Sequence, residues 1–349
     1  MREGKNKMML SAANIESAQK AHSIAADDFL DTAHRRANVI GMGVGMKWKN
    51  AQPTGEPALV VLVTHKKARE ELCSSDLIPE KLAGMQIDVL AIGYPLAGGG
   101  EIMENPAQTL ARQIRPVKGG FSVGHKNITA GTIATCIYNI LPENSTSAHN
   151  YGTGIPGRYY ILSNNHVLAN SNLAAPGDPI LQPGPFDGGM YPRDRIATLS
   201  RFVPITFEPP VPREKHHNLV DAAIAEGEFH NLNREIYWIG HVRGWRPKNE
   251  ITVGIYVQKT GRTTNYSVGR ITAINATVDI SYDAGRTARF KDQIITTNIS
   301  AGGDSGSLVT TLDNVAIGLL FAGSSIATIV NQIENVRSLL QVEIAEEIL

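Results

Sequence analysis

The chain of 349 residues is poor in cysteine, aromatic residues and net charge. Its two cysteines, Cys73 and Cys136, lie far apart, so the sequence favours neither a disulfide framework nor a zinc ribbon. The 33 basic residues balance the 33 acidic residues, which argues against nucleic-acid and anionic-membrane partners. No run reaches the roughly 20 apolar residues that span a bilayer, and the N-terminus lacks the apolar core of a signal peptide. We therefore expect a soluble protein in a reducing, cytoplasmic setting.

Glycine and proline, in contrast, are abundant, at 33 and 18 residues. Short runs of β-forming residues recur between these turn formers through the second half of the chain. They cover residues 131–140, 158–165, 221–227, 237–244, 254–261, 268–280, 292–298, 306–311 and 314–323. This pattern predicts a mainly β fold, with a sandwich or a pair of barrels.

The first hundred residues have a different pattern. Apolar residues at a spacing of three and four predict a helix over 11–31, and strands are predicted at 39–48, 57–66 and 85–94 with a helix over 67–82. The glycines of VIGMGVGMKW lack the strand-turn-helix context of a phosphate loop, so we interpret this stretch as a glycine-bearing strand.

The domain boundary is expected in a glycine-rich stretch. LAGGGEIMENPAQ, residues 96–108, has the composition of a linker and separates a small α/β unit, residues 1–105, from a larger unit, residues 106–349. Apolar spacing also predicts a C-terminal helix from about residue 331, with Ile333, Val336, Leu340, Ile344 and Ile348 on one side.

Three separate motifs carry residues suited to nucleophilic catalysis. Ser305 lies in SAGGDSGSLV, His166 follows a strand-like run in YILSNNHVLAN, and Asp221 precedes small apolar residues in NLVDAAIAE. A serine hydroxyl needs a base such as histidine, itself oriented by a carboxylate. The glycine-rich turn could also direct the amides of Gly303 and Ser305 at one point, as an oxyanion hole requires.

These motifs, in this order, resemble the His, Asp and Ser motifs of chymotrypsin/trypsin-like serine peptidases over roughly residues 117–335. The resemblance implies a chymotrypsin-like double β-barrel and a His166-Asp221-Ser305 triad. QKTGRTTNYSVGRITAI, residues 258–274, further resembles a segment of bacterial members in which a buried Arg neutralises the Asp before the nucleophile. By that resemblance, Arg262 would pair with Asp304, and the fold would be competent without cleavage of a zymogen.

The resemblance also implies a substrate pocket with an uncharged floor. Ile299 and Ser300 would form the floor, and Ala322 and Gly323 the wall, leaving room for a small or apolar side chain. Two further stretches, GDPILQPGPFDGG (177–189) and GLLFAGSS (318–325), join the N-terminal unit in a closer resemblance. With them, the chain looks most similar over nearly its full length to bacterial intracellular trypsin-like proteins related to the plant narrow-leaf proteins.

Other candidate sites are weaker. His216 and His217 are adjacent and cannot both point at one metal from a strand, and no His-Glu-x-x-His motif occurs. Asp178, Asp187 and Asp194 lie in a loop, where they could bind calcium, compete as the triad acid or simply be solvated. No metal or other cofactor is implied.

The sequence therefore predicts a cytoplasmic serine endopeptidase that acts on proteins or peptides. It leaves open a requirement for an activating partner or a homo-oligomer. The alternative is a catalytically silent scaffold of the same fold that binds a protein partner.

Overall fold

The computed structural model describes residues 9–34, 36–50, 52–98, 109–128, 130–139 and 158–345. Within these ranges the α-helices are α1 (Ala12–Phe29), α2 (Asn165–Leu168) and α3 (Ile333–Leu340). None of the described helices is long and apolar enough to cross a membrane.

Most of the regular structure is β-strand, which confirms the predicted mainly β class. The strands are β1 (Val39–Lys49), β2 (Gln52–Val63), β3 (Lys81–Leu82), β4 (Met85–Ala91), β5 (Leu96–Ala97), β6 (Val117–Gly119), β7 (Ser122–His125), β8 (Gly131–Thr132), β9 (Cys136–Asn139), β10 (Tyr159–Ser163), β11 (Pro179–Leu181), β12 (Arg195–Phe202), β13 (Ala223–Gly227), β14 (Leu232–Ile236), β15 (Tyr256–Gly261), β16 (Asn265–Ser281), β17 (Thr287–Thr297), β18 (Leu308–Thr311), β19 (Ala316–Gly323), β20 (Ala327–Gln332) and β21 (Val342–Ile344).

Two large sheets contain nearly all of these strands. The first has the order β21-β9-β10-β13-β12-β11-β7-β8, and the second β15-β18-β19-β20-β17-β16-β1-β2-β4-β3. An additional pairing of β15 with β16 closes β15, β18, β19, β20, β17 and β16 into a ring. β5 pairs with β16 and β19, and β14 pairs with β6 in a separate two-stranded sheet. Strands that close on themselves leave no edge exposed, so this ring is a barrel with its own core.

Each sheet encloses an apolar cluster. In the first sheet this cluster includes Phe121, Ile161 and Leu199. In the second, Ile294 and Val309 belong to a corresponding cluster. Because side chains alternate along a strand, one face of each sheet points into its own cluster. The resulting two β units confirm the predicted architecture.

A third cluster lies between the two β units. Leu162 and Ile224 of the first sheet meet Leu308 and Leu319 of the second, and Ile333 of α3 joins them. The predicted C-terminal helix is present but ends at Leu340, because Gln341 takes the left-handed conformation at φ 52°. Ile344 lies in β21 and not on the helix, and Ile348 is outside the described residues.

The N-terminal helix and hairpin follow the sequence prediction. Ser11 caps α1 by accepting a hydrogen bond from the Asn14 amide (3.3 Å), and α1 buries Ala18, Ala21 and Phe29. The glycine-bearing stretch forms β1, in the middle of the second sheet, where it pairs with β2 on one side and β16 on the other. The N-terminal strands therefore extend the sheet of the second β unit.

Two predicted elements are wrong. Residues 67–82 form no α-helix but two short 3₁₀ turns, Arg69–Glu71 and Ser74–Asp76, which bury no side chain. Ser and Asp side chains compete for backbone hydrogen bonds in this stretch, and its apolar residues are at most half-buried, which is too little packing to stabilise a helix. Residues 237–244 form no strand, since Trp238 and Gly240 have φ of 69° and 91°. The boundary expected at residues 105 and 106 lies outside the described residues.

Candidate active site

His166 and Asp221 are in direct contact at the edge of the first β unit. His166 lies in α2, just after β10, and Asp221 lies just before β13, the antiparallel neighbour of β10. The imidazole Nδ1 is 2.7 Å from Asp221 Oδ2, and the His166 backbone amide donates to Asp221 Oδ1 at 3.1 Å. Since the carboxylate accepts from Nδ1, the imidazole Nε2 is left as the nitrogen that can take a proton.

The Asp221 carboxylate is fully buried and receives a further donor from the second sheet. The Tyr282 hydroxyl donates to Asp221 Oδ2 at 2.8 Å, and its ring packs edge-on to His166, with centroids 6.2 Å apart. Burial, reinforced by the negative charge of Asp221, raises the pKa of Tyr282 well above its ordinary value. Tyr282 is therefore a protonated donor. The Asp221 amide in turn donates to Asn331 Oδ1 at 3.0 Å.

The turn that carries Ser305 is held by both β units. Thr132 of the first sheet donates its amide to Ser305 O (2.7 Å) and its hydroxyl to Gly303 O (2.8 Å). On the other side, the Gly306 amide donates to Leu320 O of β19 at 2.8 Å. Gly303 has φ 93°, and a Cβ there would lie 2.6 Å from a threonine hydroxyl, so glycine is required.

The Ser305 hydroxyl does not donate to the imidazole in this conformation. Its Oγ donates to Phe321 O at 3.3 Å, whereas His166 Nε2 is buried without a hydrogen-bond partner among the described residues. Ser305 is also only 2% exposed. A Cβ at Gly131 would lie 2.4 Å from a methyl group of Val167, the neighbour of His166, and 2.9 Å from Ser305 O. The serine turn therefore lies near the contact between His166 and Asp221, with the serine hydroxyl turned toward β19.

Asp304, which precedes the serine, is satisfied by a buried cage of donors. Lys259 Nζ lies 3.2 Å from its Oδ2, and both side chains are fully buried. The amides of Thr263 (2.8 Å) and Thr264 (3.1 Å) donate to Oδ1, and the amide of Ala301 (3.0 Å) donates to Oδ2. Burial lowers the pKa of Lys259, an effect that the charge of Asp304 opposes.

The expected ion pair between Arg262 and Asp304 therefore needs correction. Arg262 pairs with Asp187, its Nε donating to Asp187 Oδ2 at 2.8 Å, and both side chains are nearly fully buried. Side chains alternate along β15, so Lys259 points to the serine turn, whereas Arg262 lies beyond the last strand residue and reaches the loop of Asp187. Asp187, which was left open as a metal ligand or triad acid, is thus the partner of Arg262.

The amide of Gly303, predicted for the oxyanion hole, already has an acceptor. It donates to Gly98 O at 3.3 Å. Gly98 directly follows β5, which lies along β19 with Ala97 opposite Ala322 and Leu96 opposite Gly323. A stretch expected to be a linker therefore lies beside the serine turn.

The expected pocket residues are divided between the cleft and the core. Ile299 is 4% exposed and belongs to the core of the second barrel, so its side chain does not form a pocket floor. Ser300 Oγ is instead 2.7 Å from Thr328 Oγ1, and a Cβ at Gly323 would lie 2.9 Å from Ser300 Oγ. Ala322, in β19, belongs to a core cluster of the second sheet. Gly323, Ser300 and Thr328 thus lie close together, and all three are uncharged.

The remaining candidates have structural contacts. His216 bonds to the backbone of Val211 (2.9 Å), Asp178 lies 3.3 Å from His125 Nε2, and Asp194 accepts from Arg193. In the described part of the chain, no group of three or more His, Cys, Asp or Glu side chains could hold a metal ion. Burial raises the pKa of the Cys136 thiol to about 12.

Several residues around the site were missed by the sequence analysis. Lys259 left a signal, because a lysine inside the strand YVQKTG must bury its charge or find an acid. Tyr282, Asn331 and Gly98 left none, since each reaches the site only through the pairing of distant strands.

No protein-family model matches the sequence, and no curated protein matches it. Solved structures similar to the chain include protease A of Thermobifida fusca, with 16% identity, 66% of this chain and 99% of that chain covered, and a TM-score of 0.43. A glutamic-acid-specific serine protease has 18% identity, covers 65% of this chain and 100% of its own, and has a TM-score of 0.43. Chymotrypsin of Cellulomonas bogoriensis has 18% identity, covers 66% of this chain and 99% of its own, and has a TM-score of 0.42.

Proposed function

We propose that the protein is a serine endopeptidase that hydrolyses peptide bonds through Ser305, His166 and Asp221. The observation that carries this proposal is the buried contact between His166 Nδ1 and Asp221 Oδ2 (2.7 Å), which leaves Nε2, a nitrogen without a hydrogen-bond partner among the described residues, as the atom that can take a proton. The buried Asp221 carboxylate fixes the tautomer of an imidazole that is itself part-exposed, which is the arrangement that a catalytic base and its orienting acid require.

In the proposed reaction, Ser305 Oγ first rotates from Phe321 O toward His166 Nε2. The imidazole takes the hydroxyl proton as Oγ attacks the substrate carbonyl carbon, and the amides of Gly303 and Ser305 stabilise the developing oxyanion. His166 then donates the proton to the leaving amine, and a water molecule repeats the sequence to release the acyl group. Asp221 holds the imidazole throughout.

The setting of this activity follows from the resemblance. The motifs quoted above are similar to those of bacterial intracellular trypsin-like proteins related to the plant narrow-leaf proteins, and we propose action in the cytoplasm on protein or peptide substrates. We propose a small or apolar residue at the acyl position of the cut, because Gly323 and Ser300 are small and uncharged and lie close together.

The test is covalent labelling with a fluorophosphonate probe. The wild type should become labelled, whereas Ser305→Ala should not, and His166→Ala should react at least about 100-fold more slowly, since it lacks the base. His217→Ala provides a matched control, because His217 is exposed and near Asp221 in sequence. A folded protein that is no more reactive than Ser305→Ala, both as the wild type and in variants that open the cleft, would refute the activated serine.

A second candidate function is a catalytically silent scaffold that binds a protein partner. It is favoured by the hydrogen bond from Ser305 Oγ to Phe321 O and by the low exposure of Ser305. In that case Ser305→Ala should leave the biological effect intact, and no variant should be labelled.

A further inference from the structure

Residues 96–98 lie along β19 at the edge of the candidate cleft, and we call them the cleft strand. β5 pairs antiparallel with β19, with Ala97 opposite Ala322 and Leu96 opposite Gly323. An extended peptide that adds to a sheet edge binds in this way, through main-chain hydrogen bonds. The cleft strand therefore uses main-chain groups of β19 that an added peptide would use.

Gly98 brings the cleft strand to the serine turn. Its amide donates to Phe321 O at 3.4 Å, the same oxygen that accepts from Ser305 Oγ, and its carbonyl oxygen accepts from the Gly303 amide at 3.3 Å. The Gly303 amide is the donor that the proposed mechanism assigns to the oxyanion. Gly98 thus occupies the place of a substrate carbonyl.

The preceding residues anchor the cleft strand from both sides. The Ile92 amide donates to Val63 O of β2 at 2.8 Å, and Ser324 Oγ donates to Ile92 O at 2.5 Å. Further along, the Ser281 amide at the end of β16 donates to Pro95 O at 3.1 Å. The strand is therefore part of the folded structure and continues directly from the N-terminal sheet.

We propose that the cleft strand is an internal inhibitor, which must leave β19 and the Gly303 amide before a substrate can bind. This inference rests on the proposed function, because it concerns access to the same site. Gly98 has φ 84°, a conformation that residues other than glycine rarely adopt. The chain turns there in a way that an ordinary extended substrate cannot copy, and Ser305 Oγ points to Phe321 O. The strand is consequently bound as an inhibitor and is not poised for cleavage.

The first test measures cleft access without any chemistry. In a Ser305→Ala background, Gly98→Ala adds a Cβ that meets no atom of the described residues within 4 Å, so its direct effect among them is strain at positive φ. Gly84→Ala is the matched control, with φ 78° and an equally open Cβ in the turn between β3 and β4. The probe is a fluorescent peptide, Tyr-Pro-Leu-Ala-Gly, the sequence of residues 94–98.

We expect Gly98→Ala to bind this peptide about tenfold more tightly than Gly84→Ala, by fluorescence anisotropy, because strain that favours release of the strand raises the open fraction. Gly98→Pro should have a larger effect, since proline also lacks the amide that bonds Phe321 O. Equal affinity in the Gly98 and Gly84 variants would overturn the proposal that the cleft strand is an inhibitor, whatever the labelling experiments show.

The second test locks the strand reversibly. Ala97→Cys combined with Ala322→Cys places two cysteines directly opposite each other on antiparallel strands, within disulfide reach, and Cys73→Ser removes the exposed native thiol. The oxidised protein should react with the fluorophosphonate at least about tenfold more slowly than the same sample after reduction. A disulfide that fails to form in the folded protein, or that leaves the labelling rate unchanged, would count against the strand.

The two tests separate failure of the inhibitor from failure of the proposed activity. Tighter peptide binding by Gly98→Ala, with no labelling of any variant that retains Ser305, would support the cleft strand and refute the peptidase. Rapid labelling of the wild type, unchanged by Gly98→Ala and by the disulfide, would support the peptidase and refute the inhibitor.

Discussion

Asp221 is a buried carboxylate whose Oδ2 receives two donors, the imidazole of His166 and the hydroxyl of Tyr282. A buried anion needs such donors because it has lost its hydration. The tyrosine belongs to the second β unit and the histidine to the first, so this carboxylate also joins the two units. Tyr282 is accordingly a positioning residue for the imidazole.

Tyr282→Phe should reduce the rate of fluorophosphonate labelling about tenfold, the scale of one hydrogen bond to a charged group. The ring remains packed on Phe207, so the fold is kept. With one donor fewer, Asp221 attracts a proton on the imidazole more strongly, and labelling should reach half its maximum at a higher pH. Tyr266→Phe is the control, since it removes a hydroxyl bonded to Gln258 outside the site. An unchanged pH profile would mean that Tyr282 contributes only packing and does not position the imidazole.

Lys259 is the second residue on which the serine turn depends. Lys259→Met leaves Asp304 without its cation, and loss of one partner of a buried pair costs about 3–5 kcal/mol of unfolding free energy. A double-mutant cycle with Asp304→Asn, measured by urea denaturation, should give a large coupling energy. The same cycle with Arg262→Met should give a smaller one, because Arg262 pairs with Asp187. Equal couplings would contradict this assignment.

At the scale of single residues, the sequence was enough to propose the reacting side chains but not the ion pairs that support them. His166, Asp221 and Ser305 could be predicted because each lies in a local motif with the residue types that the reaction needs. The choice between Lys259 and Arg262 could not, since it depends on which way two nearby side chains leave the end of β15. Ile299 was expected at a pocket floor, whereas its side chain belongs to a core cluster of the second barrel, and the sequence does not show which way that side chain points.

Elements with a clear hydrophobic period were predicted, and those without it were not. α1 and β1 bury side chains along most of their length, whereas the apolar residues of 67–82 are at most half-buried. The cleft strand is the clearest failure at this scale. Its Leu-Ala-Gly sequence is typical of a linker, and only the edge of β19 makes it a strand.

His22 fixes α1 to β1 in a way that depends on pH. Its Nε2 donates to Met42 O (3.1 Å), and its Nδ1 accepts from Asn275 Nδ2 (3.4 Å), so the ring is neutral. Burial lowers the pKa of His22. The unfolded chain therefore binds a proton more readily, and stability should fall as pH drops below about 6.5, the ordinary value.

His22→Gln keeps a donor for Met42 O and removes this titration. Urea denaturation at pH 7.5 and 5.5 should show a smaller loss of stability in His22→Gln than in the wild type. Other buried histidines remain in both proteins, so the difference isolates His22. An equal loss in the two proteins would mean that His22 does not titrate on unfolding.

For the molecule as a whole, the pairing of β1 with β16 decides how the parts cooperate. Sequence composition predicted a separate N-terminal unit, but could not indicate that its strands continue the sheet of the second barrel, because that pairing joins residues more than two hundred positions apart. Only four residues separate β4 from the cleft strand, so a short segment joins the N-terminal sheet to the candidate active site.

A molecule joined in this way should unfold in one step. Trp48 lies in β1, and Trp245 contacts the second barrel through Ala316, so variants that keep only one of these tryptophans report on the two parts. Their denaturation midpoints should coincide. Gly41→Val should lower both equally, by about 1–3 kcal/mol or more, since a Cβ at Gly41 would lie 2.4 Å from Thr277 O across the seam. If the Trp48 transition came first and the Trp245 transition stayed in place, the N-terminal strands would be an independent domain, and release of the cleft strand would not require the barrel to open.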